Sequence, residues 1–85
     1  MKTIKYVIID ELGIHARPAG IIVKLVKAYK SKILIGRPEK MVDATKIIGI
    51  MSLCMKQGDE IHITVEGEDE SEAATAIETL LEENL

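Results

Sequence analysis

In the stretch Gly13-Ile14-His15-Ala16-Arg17-Pro18-Ala19, an imidazole stands two residues before a guanidinium and three before a proline. Proline enters an α-helix only in its first turn, where the N–H it lacks has no intrahelical partner to lose. Pro18 therefore places a helix N-terminus within about a turn of residue 16, with His15 near the N-cap. Gly13 leaves the chain free to enter that turn at an unusual φ. The unpaired amides of a first turn, here Ala16 and Arg17, and the positive end of the helix dipole disfavour an imidazolium. They leave a neutral, nucleophilic ring and welcome an anion attached to it. Arg17 adds a planar fork of donors suited to phosphate oxygens. A nucleophile, an anion cradle and a guanidinium in one turn describe a phosphoryl acceptor. Asp10 and Glu11 are the nearest other candidates for catalysis. There is no Gly-x-x-x-x-Gly-Lys phosphate loop and no metal constellation, so neither a metal nor a cofactor is expected. Such a site holds a phosphoryl group that another protein must bring and take away. A plainer reading of the same spacing has His15 only capping a helix and Arg17 only solvated.

The elements that must position this turn follow from periodicity. Ile4, Tyr6 and Ile8 alternate with Lys5, Val7 and Ile9, giving a first strand of about eight residues. Ala19, Ile22, Val23 and Val26 form one apolar helical stripe. Lys32–Gly36 and Lys40–Asp43 read as strands joined through Gly36, Arg37 and Pro38, and residues 45–55 as a short helix. Glu60–Glu66 alternates as a strand with one wet face. Asp69 to Leu85 is a final helix with Asp69, Glu70 and Glu72 at its positive end. The order βαββαβα implies an α+β fold, one sheet with helices on one face. An unrelated ferredoxin-like ligand-binding domain shares most of that order.

Eighty-five residues, 47% hydrophobic and 29% charged, suit one globular domain spanning 1–85 with a single modest core. A core that small has no room for an enclosed active site, so chemistry belongs on the surface. The lone Cys54 excludes an intrachain disulfide and zinc pairs. Early charges leave no signal-peptide core, and apolar runs are too short to span a bilayer, so a cytoplasmic protein without membrane insertion is expected. The net charge of -3 hides an asymmetry. Residues 1–43 carry nine positive and four negative side chains; residues 44–85 carry two and ten. The basic half suits an acidic partner surface. Nucleic acid is disfavoured, because only Tyr6 and Tyr29 could stack on bases.

The stretch Gly13–Ala19 closely resembles the phosphorylation-site motif of HPr, the histidine phosphocarrier family of the bacterial phosphoenolpyruvate-dependent sugar phosphotransferase system. Gly49-Ile50-Met51-Ser52-Leu53, Gly58-Asp59 and Glu66-Gly67-Glu68-Asp69-Glu70 also sit where that family has similar residues. The resemblance implies an open-faced sandwich, a four-stranded antiparallel sheet carrying three helices. It further implies that enzyme I phosphorylates His15 on its δ1 (pros) nitrogen, that IIA domains of sugar permeases receive the group, and that Arg17 contacts it. Such a protein is a carrier and not itself an enzyme, and it is expected to be a monomer. Rival readings are a nitrogen-related or dihydroxyacetone kinase relay, or a regulatory binding module.

The short helix is apolar almost all round. At about 100° per residue, Ile50 and Leu53 can face a core while Ile48 and Met51 cannot both follow, and Ile47 lies between. Surplus apolar surface marks a contact site, and Met suits one shared by several partners. By resemblance this is the docking patch for enzyme I and IIA domains; the alternative is that the helix is wholly core. Gly20, Lys24 and Lys27 form its basic rim or merely a solvated face. Many related proteins carry a regulatory serine where this chain has Lys46, which puts a serine-kinase switch in doubt. His62 is expected on the wet face of its strand, Cys54 inside or at the edge of the short helix, and both tyrosines in packing.

Overall fold

The computed structural model describes residues 1–85. Seven elements follow one another: β1 (Lys2–Val7), α1 (Ala16–Val26), β2 (Lys32–Arg37), β3 (Lys40–Asp43), α2 (Ile47–Met51), β4 (Glu60–Glu66) and α3 (Glu70–Asn84). The four strands form one antiparallel sheet in the order β1-β4-β2-β3. Its register sets β-branched and aromatic residues opposite one another on the inner face. Ile4 faces Ile63 and Tyr6 faces Ile61 across β1 and β4, while Ile33 faces Val65 and Ile35 faces Ile63 across β2 and β4. Such cross-strand pairs contribute roughly 0.2–1 kcal/mol each. Against them pack Ala19, Ile22 and Val26 of α1, Ile50 of α2, and Ala73, Ile77, Leu80 and Leu81 of α3. The opposite sheet face carries Lys5, His62 and Thr64.

Most element bounds match the periodicity, and the departures have local causes. β1 stops at Val7, short of eight residues, because the next amides leave the sheet. Ile8 donates to the Asp59 carbonyl, and Ile9 and Asp10 both donate to the Leu85 carbonyl, at 2.6 and 2.8 Å. β2 runs one residue past Gly36. α2 occupies only Ile47–Met51 of the expected 45–55. Before it, the Asp43 carboxylate accepts the Thr45 amide and hydroxyl, closing a turn that competes with helix. After it, the amides of Leu53 and Cys54 bond three residues back, and Cys54 takes φ +51, a left-handed conformation that ends a helix. Cys54 is exposed rather than interior.

Asp69 stands at the N-cap of α3 yet makes no side-chain cap. Its carboxylate instead accepts the amides of Lys30 and Ser31 and the Ser31 hydroxyl, tying the α1–β2 turn to the start of α3. The Ser31 hydroxyl, with those amides, holds the Asp69 carboxyl below its usual range. No helix is long and apolar enough to cross a membrane.

Candidate functional site

Helix α1 begins at Ala16, and His15 is its N-cap residue, with an extended backbone (φ -102°, ψ -173°). The Ala19 amide donates to the His15 carbonyl, closing the first turn. Pro18 has no amide to satisfy, so Ala16 and Arg17 supply the two open amides of that turn. The imidazole makes no capping hydrogen bond of its own. Ring and amides are therefore both free at the same helix end. His15 is half-buried, while Ala16 and Arg17 are exposed. No carboxylate lies within ion-pairing distance of Arg17, so its guanidinium is available to an incoming anion.

The turn is braced from below. Gly13 takes φ +64, and a side chain there would overlap the Met55 carbonyl and stand 2.7 Å from the Lys56 Cα. Only glycine lets the loop lie this close. Ile14, buried beside it, donates its amide to the same Met55 carbonyl at 3.1 Å. Gln57 reaches across to the Ile9 carbonyl at 3.0 Å, and the Leu85 carbonyl holds the amides of Ile9 and Asp10. Gln57 and Leu85 thus steady the loop leading to His15 from 48 and 76 residues away in sequence. No local pattern in the chain points to them.

His15 and Arg17 open onto a cleft of about 220 Å³ lined by Asp10, Pro18, Ile21, Glu83 and Asn84 as well. Asp10 enters through the braced loop, and Glu83 and Asn84 come from the end of α3. Such a cleft has room for a phosphoryl group beside His15 and Arg17. It offers no cluster of side chains able to hold a metal.

Residues 2–83 match the PTS-HPr family, described as the PTS HPr component phosphorylation site. The chain belongs to the PTS-HPr family. It is 45% identical to phosphocarrier protein HPr of Lysinibacillus sphaericus, over 98% of this chain and 94% of that protein. In structure it is similar to HPr of Thermoanaerobacter tengcongensis, with a TM-score of 0.90 and 39% identity over 96% of this chain and 92% of that one. It is also similar to the histidine-containing phosphocarrier protein of Mycoplasma, with a TM-score of 0.92 and 32% identity over 96% and 93%. The ferredoxin-like alternative falls away. The role is that of a phosphocarrier in the phosphotransferase system, not of a catalyst acting alone.

The remaining anticipated positions divide by exposure. Ile50 and Leu53 are buried, whereas Ile48 is 77% exposed and Ile47 and Met51 are partly exposed, so α2 is not wholly core. The Ile47 δ1 methyl would lie 3.9 Å from a Cβ at Gly20, which brings α2 against α1 just past Arg17. Lys24 and Lys27 are exposed along α1. Lys46 is the N-cap residue of α2, without a capping bond. His62 keeps its place on the outer sheet face, but its side chain is only 18% exposed and its Nε2 meets Glu60 at 3.0 Å. Tyr6 and Tyr29 pack against the core.

Proposed function

We propose that the chain, acting as one domain over residues 1–85, carries the phosphoryl group on His15. A lone pair on the ring's Nδ1 attacks phosphorus as the bond to the donor, phospho-enzyme I, breaks. The acquired oxygens are met by the amides of Ala16 and Arg17 and by the Arg17 guanidinium. Attack by a nucleophile on a IIA domain of a sugar permease then breaks the N–P bond, and the imidazole keeps the electron pair. The observation that carries this reading is the unbonded imidazole at the N-cap beside two open amides and an unpaired guanidinium.

Ile47, Ile48 and Met51, rimmed by Gly20, Lys24 and Lys27, form the docking face on which both partners sit in turn. Their apolar exposure and neighbouring positive charge support a partner with an apolar spot inside an acidic surround. One copy suffices, since every group named comes from a single chain, and its partners place it in the cytoplasm. Incubation with enzyme I and labelled phosphoenolpyruvate is expected to give acid-labile label that is absent from His15→Ala. Label retained in that variant refutes the assignment.

A further inference from the structure

The cleft at His15 is not simply a basic hollow. Its lining brings His15 and Arg17 together with two acidic residues, Asp10 and Glu83. Neither carboxylate is paired with Arg17, nor with any other base. A space of about 220 Å³ keeps its lining groups within about a Debye length (~8 Å at physiological salt) of its centre, so their charges act on whatever fills it. Glu83 lies in the last turn of α3, the negative end of that helix, which has no basic residue, and with Asn84 it lines the same space. Asp10 is held there by two bonds: its amide donates to the Leu85 carbonyl, and its Oδ1 accepts the Leu12 amide at 2.8 Å. The cleft thus gathers residues from the start of α1 and from the end of α3, helix ends of opposite dipole sign.

We propose that Asp10 and Glu83 set the phosphoryl-transfer potential of this carrier by repelling the anion that α1 and Arg17 attract. The inference rests on His15 being the acceptor. When the N–P bond breaks and the group leaves for an acceptor's nucleophile, the repulsion is relieved, so both carboxylates favour donation over retention. Asp10 and Glu83 touch no reacting bond; they act through the field they place across the cleft.

The test is a competition at equilibrium. Isotope-labelled wild type and an unlabelled variant share a limited supply of phosphoenolpyruvate with a trace of enzyme I, and mass spectrometry reads the phosphorylated fraction of each. Asp10→Asn keeps the oxygen that accepts the Leu12 amide, and Glu83→Gln is exposed, so both are expected to fold. Each is expected to hold the phosphoryl group about two- to fivefold more than wild type, and the double variant roughly tenfold. The bias should shrink toward parity at about 1 M salt, where the screening length is about 3 Å. Glu78→Gln removes the same charge from α3 outside this cleft and should match wild type. Parity for the double variant, or an equal bias from Glu78→Gln, overturns the proposal while leaving the acceptor role standing. Label that persists in His15→Ala removes the acceptor role, and this inference with it.

Discussion

Gly13→Ala isolates the contact that seats the site. Placing a β-carbon at φ +64 costs roughly 1–2 kcal/mol in any surroundings. Here it also drives that carbon into backbone, the Met55 carbonyl and the Lys56 Cα, neither of which can swing aside as a side chain would. Relief requires the 13–14 loop to part from residues 55–56, breaking the Ile14–Met55 hydrogen bond, worth about 1 kcal/mol. The loss should total about 2–3 kcal/mol, a large share of the roughly 4–13 kcal/mol expected of an 85-residue domain. At about 4–8 °C per kcal/mol, the thermal midpoint should fall by about 8–24 °C. Gly58→Ala is the control. Its φ is +91 but nothing lies within 4 Å, so it should lose only the conformational part, about 1–2 kcal/mol. Thermal unfolding followed by circular dichroism compares the two. The amide resonances of Ala16 and Arg17 should move in Gly13→Ala and stay in Gly58→Ala. Midpoints within about 4 °C of each other would refute the claim that backbone overlap, and not φ alone, demands glycine before the histidine.

Two neighbours on α2 should separate stability from docking. Ile50→Ala, at a fully buried position, is expected to cost about 2–5 kcal/mol in denaturant unfolding. Ile48→Ala should cost less than about 0.5 kcal/mol and yet weaken association with enzyme I in titration calorimetry. Acid unfolding should report on Asp69, whose carboxyl is held below its ordinary 3.8 by the Ser31 hydroxyl and the amides of Lys30 and Ser31. A carboxyl with a lowered folded value stabilises fully above its unfolded value and loses that contribution as the pH falls through the folded one. Asp69→Asn should therefore be less stable than wild type at neutral pH, with the gap closing below about pH 4.

Pro18 is why the functional turn is legible from sequence: a residue tolerated only in the first turn of a helix locates the amides, and the amides locate the chemistry. The same clarity extends to Ile61, Ile63 and Val65, whose period of two settles which face of β4 is buried. It fails where side chains capture backbone over distance. Asp69 has the residue type and place of an N-cap but serves the amides of Lys30 and Ser31 instead, a competition no local rule contains. α2 is shorter than its apolar run because the chain turns after Met51, with the amides of Leu53 and Cys54 bonded three residues back and Cys54 at φ +51. Glu83 and Asn84 share the His15 cleft only because α3 returns beside α1, and no spacing in the chain encodes that approach.

A carrier must not bind its cargo well. An anion at a helix N-terminus gains roughly 0.3–1 kcal/mol, and about 2 kcal/mol in favourable partly buried geometry. Two kcal/mol is about a thirtyfold bias, and a solvated guanidinium adds little, since exposed ion pairs contribute about 0–1 kcal/mol. The exposure of Arg17 and the openness of the first turn are thus functional quantities, because burying either would deepen the well that the next partner must empty. The end of α3 acts in the opposite direction across the same cleft. Two opposing terms of similar size can be adjusted finely by single exposed residues, whereas one deep pocket cannot. On this fold, transfer potential can therefore change at Asp10 or Glu83 without touching His15, Arg17 or the buried core that holds them.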